Sequence, residues 1–137
     1  FIPPMRATRH GSLVGIASVA GYRGLPGAAA YSASKAAAIS YLESLRVELR
    51  SSGINVVTIC PGYIDTPMTA RNPYAMPFLL DVDAAAKRIA HIIARGTSFA
   101  VLPWQMAIVA RVLRLLPNWM YDRLFSDAPR KPRSPAV

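Results

Sequence analysis

Tyr31 and Lys35 stand four residues apart in the run Tyr31-Ser-Ala-Ser-Lys35, so on a helix a phenol and an ammonium share one face. A phenol holds its proton at neutral pH unless a cation stabilises the phenolate, and a lysine one turn away supplies that cation. Such a pair can move a proton to or from the oxygen of a bound substrate. Thirteen residues upstream, Ser18 adds a hydroxyl, and Pro61, Gly62 and Thr66 make a second cluster of turn and hydroxyl. His10 and His91 fall outside these groups, and no metal site is expected. The single cysteine, Cys60, has no disulfide partner within the chain and fits a reducing compartment.

These residues need elements to hold them. Residues 12–17 (SLVGIA) form a short apolar run that suits a buried strand and ends just before Ser18. Residues 19–30 carry Gly21, Gly24, Pro26 and Gly27 and read as an irregular crossing. From about residue 31 to 51, Ala38, Leu42, Leu45 and Leu49 recur at helical spacing, with Gly53 as the stop. Residues 54–60 (INVVTIC) then give a β-branched strand bounded by Pro61. Another helix is expected over 83–95, with Ala86, Ile89, Ala90 and Ile93 on its inner face and Gly96 as its end, followed by a strand over 99–102. Strands alternating with helices predict an α/β fold with a parallel sheet. Ser18, Tyr31 and the residues after Cys60 then converge on the carboxyl rim of that sheet, where open parallel sheets bind ligands.

With these residues in this order, the sequence resembles the short-chain dehydrogenase/reductase family over about residues 1–102. The matching motifs are Ser18, Tyr31-Ser-Ala-Ser-Lys35 and Pro61-Gly-Tyr-Ile-Asp-Thr66. The resemblance implies a Rossmann-like, doubly wound parallel sheet, and oxidoreduction between an alcohol and its ketone or aldehyde with NAD or NADP. It implies that Tyr31 is the general acid or base, that Lys35 supports it and binds the nicotinamide ribose, and that Ser18 fixes the substrate oxygen. Pro61 and Gly62 would bring the backbone close to the cofactor, while the backbone of Ile64 and the hydroxyl of Thr66 would contact the carboxamide and the phosphates. Dimers or tetramers through the long helix are implied as well.

Residues 67–80 fall where the family carries its substrate lid, and their Met68, Tyr74, Met76, Phe78, Leu79 and Leu80 favour a small hydrophobic alcohol or carbonyl substrate. Tyr22, Leu25 and Tyr63 are further candidates for that pocket. No G-x-x-x-G-x-G loop and no N-A-G segment occurs in the 137 residues, and the chain opens on Phe1. The expectation is therefore the C-terminal catalytic half of a longer protein, inactive by itself, in which the choice between NAD and NADP lies elsewhere.

Residues 1–103 take the sheet; 104–126 are an apolar helical extension beyond the family's minimal pattern, and 127–137 a basic, Pro-rich tail. In the extension Arg111 and Arg114 share one helical side, with Trp104 and Trp119 as possible interfacial anchors. The preferred reading is a helix covering the pocket or a partner subunit. The alternative is a non-catalytic membrane- or partner-binding module of the same fold, with peripheral membrane contact through 104–125.

Sixteen Lys and Arg against seven Asp and Glu give a net charge of +9, but the cations are scattered, so nucleic acid is not an expected partner. No secretory signal and no run of ~18 apolar residues is present, and cytoplasm is the expected location.

Overall fold

The computed structural model describes residues 1–70, 72 and 75–128. Three strands, β1 (Gly11–Ile16), β2 (Ile54–Pro61) and β3 (Phe99–Leu102), form a parallel sheet in the order β1-β2-β3. Gly11 pairs with Ile54 and Ile16 with Ile59 on one side of β2, and Thr58 pairs with Phe99 and Pro61 with Leu102 on the other. Helix α2 (Ala29–Glu48) links β1 to β2, and α3 (Val82–Ala94) links β2 to β3.

Alternation along β2 assigns the two helices to opposite faces of the sheet. Ile54 and Val56 pack with Leu49 of the α2 C-cap and with Leu42 and Leu45, whereas Val57 and Ile59 pack with Ile89, Ile92 and Ile93 of α3. Both faces of the central strand are thus covered, which is why its sequence reads as an unbroken apolar run. Val57 and Ile59, which are fully buried, contribute about 1.5–3 kcal/mol each.

The sequence-based boundaries shift by a few residues. Helix α2 begins at Ala29 and ends at Glu48, not at 31 and 51, and β1 begins at Gly11. On α3 the inner face is Ala85, Ile89, Ile92 and Ile93; Ala86 and Ala90 point outward. The helix also starts earlier than Asp83, because the Asp81 carboxylate accepts from the Ala84 N–H at 2.9 Å and caps it.

One element was not anticipated. Residues Ile2–Thr8 form α1, whose prolines sit in its first turn where no donor is needed. Ile2 and Met5 pack onto the Leu49–Ile54–Val56 cluster. Gly53, with φ 78°, lies against the Arg9 carbonyl, and only a residue without Cβ fits there. The C-terminal extension is two helices, α4 (Trp104–Leu115) and α5 (Asn118–Phe125), broken at Pro117. The tail beyond residue 128 lies outside the described residues.

Candidate active site

Strand β1 ends at Ile16, and the chain leaves it through Ala17 and Ser18, both buried. Ser18 is in extended backbone and caps a short 3-10 turn over Val19–Gly21, its Oγ accepting from the Ala20 N–H at 3.1 Å. The same hydroxyl lies 3.5 Å from the Pro61 carbonyl, toward which it donates. Ser18 and the end of β2 are therefore brought together across the sheet rim.

Lys35 reaches that rim from α2. Its Nζ donates to the Ile16 carbonyl at 3.1 Å, at the last residue of β1, and stands 5.6 Å from the centre of the Tyr31 ring. One cation is thus held between the strand end and the phenol, as the four-residue spacing on a helix requires. Tyr31 is half exposed, so its hydroxyl is open to a ligand. The two serines between them serve the helix start: Ser34 Oγ donates to the Tyr31 carbonyl at 2.7 Å, and buried Ser32 accepts from the Leu25 N–H at 3.2 Å.

After β2 the chain turns at Gly62, whose N–H donates to the Leu102 carbonyl at 2.6 Å. A Cβ at this glycine would stand 2.8 Å from Met106 Cγ and 3.3 Å from the Leu102 oxygen, so the missing side chain lets α4 close onto the rim. Tyr63 and Asp65 are tied to Leu80 by two backbone hydrogen bonds of 2.9 and 2.8 Å, with Ile64 bridged to Leu80 between them. Thr66 Oγ1 lies 3.1 Å from Thr69 Oγ1, which donates to the Ile64 carbonyl at 2.6 Å. The 61–69 segment is therefore a stiff turn with its hydroxyls linked to its own backbone.

The substrate-side candidates are less unified. Tyr22 sits edge-on to Phe99, with ring centres 6.3 Å apart, and lines an open groove of about 690 Å³ with Ser32, Ala36, Ile39 and Arg114. That groove runs along the face of α2 that does not carry Tyr31 and Lys35. Burial above all pushes the Tyr22 phenol up from its usual value of 10.0, nearby Cys60 adds to the rise, and Arg111 opposes it. Met68 is 76 % exposed, and Arg71, Pro73 and Tyr74 of the expected lid lie outside the described residues.

Cys60 is fully buried beneath the rim, and burial pushes its thiol up to about 11, partly offset by a hydrogen bond with the Ser18 backbone and by the Lys35 charge. It stays a protonated thiol at neutral pH and is no nucleophile. The rim also presents the Tyr31 phenol, the Lys35 ammonium and the Ser18 hydroxyl.

Two residues escaped the sequence reading. Arg23, in the loop after Ser18, grips the junction of α4 and α5, and Tyr121 of α5 returns a hydrogen bond to Gly24. Nothing in the sequence pairs positions nearly a hundred residues apart. The only signal was a lone arginine in a glycine-rich loop. Among the described residues, no helix is long and apolar enough to cross a membrane.

Comparison with known proteins supports the geometry. An uncharacterized oxidoreductase of Myxococcus xanthus is 44% identical over 121 residues, covering 88% of this chain and 48% of its own length. Epidermal retinol dehydrogenase 2 of Mus musculus is 33% identical over 124 residues, 85% of this chain and 40% of that protein. The chain spans about half the length of the curated relatives it matches. Among solved structures, a short chain dehydrogenase from Burkholderia cenocepacia in complex with NADP superposes with a TM-score of 0.75 at 27% identity, covering 90% of this chain and 51% of that one. The short chain dehydrogenase family model matches residues 1–76, the stretch that holds Ser18, Tyr31, Lys35 and the Pro61–Thr66 turn. By that match and by the rim they build together, the chain belongs to the short-chain dehydrogenase family of oxidoreductases.

Proposed function

We propose that the protein to which this chain belongs interconverts a hydrophobic alcohol and its ketone or aldehyde, with NAD or NADP as cofactor. The observation that carries this reading is the Lys35 ammonium held between the Ile16 carbonyl and the Tyr31 phenol at the carboxyl end of β1. The donor set suits the nicotinamide-ribose end of such a cofactor: an anchored ammonium, an accessible phenol, and a stiff 61–66 turn beside them. Tyr31 and Lys35 would hold the ribose, and Pro61, Gly62, Ile64 and Thr66 the nicotinamide side. When bound, the reduced cofactor supplies a hydride to the carbonyl carbon.

The chain's own residues then govern the proton. Ser18 Oγ, with a lone pair and a rotatable hydrogen, holds the substrate oxygen toward Tyr31. The phenol gives its proton to that oxygen as charge develops there, becoming phenolate, and Lys35 stabilises the anion so formed. In the oxidation direction the same groups run in reverse, the phenolate taking the alcohol proton.

A hydrophobic substrate is supported by exposed Met68, Phe78 and Leu79 after the 61–66 turn, and by the retinol dehydrogenase among the relatives. Assembly as a homo-oligomer through α2 accompanies the reading, supported by the exposure of Tyr41 and Val47 on that helix. A cytoplasmic setting fits the single free thiol.

The test is turnover of a hydrophobic ketone by the full-length protein with NADH or NADPH, beside Tyr31→Phe. The variant should fold unchanged by circular dichroism and lose about 10²–10⁴-fold in turnover. Undiminished turnover in it would remove Tyr31 from the reaction.

A further inference from the structure

The loop between Ser18 and Tyr31 joins the two residues that face the substrate oxygen, and its midpoint is fastened to the C-terminal helices. Arg23 Nη1 donates to the Leu113 and Leu116 carbonyls, both at 2.6 Å, and Nη2 donates to Asn118 Oδ1 at 2.9 Å. The guanidinium lies 3.9 Å from the centre of the Tyr121 ring, and the Tyr121 hydroxyl donates to the Gly24 carbonyl at 2.6 Å. The grip is therefore reciprocal, one side chain from each partner.

Helix physics explains why an arginine sits there. The Leu113 carbonyl would bond the N–H four residues on, but that residue is Pro117 and has none. Arg23 supplies the missing donor, and places a cation at the C-terminal end of α4, where the helix dipole favours it. Charge-assisted bonds from a planar fork, with an aromatic face beneath it, fix orientation as well as distance. At its far end the loop is tied to the catalytic helix, through the Leu25 N–H and Ser32 Oγ next to Tyr31.

We propose that Arg23 and Tyr121 are positioning residues: through them the α4–α5 elbow holds the loop after Ser18, and so keeps Ser18 at its one end in register with the start of the Tyr31 helix at its other. The proposal rests on the oxidoreductase reading above. It gives the extension a definite role: a loop freed from the elbow would misplace a bulky carbonyl compound more than a small one, although the elbow itself does not touch the reacting atoms.

The test uses the full-length protein, with Arg23→Met, Arg23→Lys and Tyr121→Phe, and two probes, cyclohexanone and the bulkier benzophenone. Amide hydrogen exchange across 21–25 should speed by about tenfold or more in Arg23→Met, while β2 stays as protected as before. The KM for benzophenone should shift by about tenfold, with kcat for cyclohexanone within about threefold. Arg23→Lys keeps the charge but not the fork and should behave like Arg23→Met, and Tyr121→Phe should show the same pattern more weakly. If Arg23→Met does not fold, Tyr121→Phe carries the test.

Unchanged exchange in the loop would overturn the latch. Faster exchange with an equal effect on both ketones, or with none, would overturn the positioning role. If the unaltered protein turns over neither ketone, the positioning role falls with the oxidoreductase reading, while the exchange measurement still reports whether the loop is latched.

Discussion

The carboxyl rim and the C-terminal helices meet where Gly62 faces Met106, and again at the Arg23 latch, yet they are built by opposite means. At the rim, regular elements bring short-range motifs together: β1 delivers Ser18, α2 delivers Tyr31 and Lys35, and β2 delivers the 61–66 turn. Backbone geometry does the positioning, and side chains such as Lys35 only complete it. At the elbow the helices are short, 12 and 8 residues, and α4 buries only Met106 and Ala110 in its interior. Its place depends on a few side-chain to backbone bonds from a distant loop. The first design is robust to most surface change and fragile to loss of a single functional group. The second is fragile at its few fasteners.

That contrast can be sharpened beneath the rim, where the expected effect is larger. The Cys60 thiol is pushed from its usual 9.0 up to about 11 by burial, so the folded state holds a proton that the unfolded chain has already released. Stability contributed by the neutral thiol is full below pH 9.0 and falls as pH rises toward about 11, by ~1.4 kcal/mol per unit over that window. Urea unfolding across this range should show that decline, to which the raised Tyr22 and Tyr121 phenols add above pH 10.0, and Cys60→Ala should lessen the slope, most of all between pH 9.0 and 10.0. An equal slope in the alanine variant would mean the thiol is not the group responsible.

The seam between the two regions gives a smaller effect. Gly62→Ala puts a methyl group 2.8 Å from Met106 Cγ and 3.3 Å from the Leu102 carbonyl. Met106 can give way more easily than backbone, so the expected loss is about 1–2 kcal/mol in thermal or urea unfolding. A neutral substitution would show that α4 is not packed against the rim.

The rim was legible in the sequence because its signals are local. Tyr31 and Lys35 share a face by spacing alone, Cys60 and Pro61 mark a strand end, and the unbroken run from Ile54 reports that both faces of β2 are covered. Helix α1 went unassigned because Pro3 and Pro4 fit a helix only in its first turn, and nothing else in residues 1–10 marks where that turn begins. On α3, Ala86 and Ala90 stand at helical spacing from Ile89 and Ile93 just as Ala85 and Ile92 do, and only packing against β2 decides between them. The Arg23 latch was illegible for a different reason: its partners are backbone carbonyls exposed by Pro117, and a backbone carbonyl has no letter in a sequence.

The central claim is that Lys35 acts through Tyr31, and a double-mutant cycle in the full-length protein tests it most directly. Single Tyr31→Phe and Lys35→Met variants are each expected to lower turnover by about 10²–10⁴-fold. With the cofactor saturating, so that loss of the lysine's hold on the ribose is read in the cofactor KM, adding Lys35→Met to Tyr31→Phe should cost less than about threefold more in kcat, since groups acting as a unit are not additive. Fully additive losses in kcat would contradict the account and give the lysine a part in the chemical step that does not pass through Tyr31.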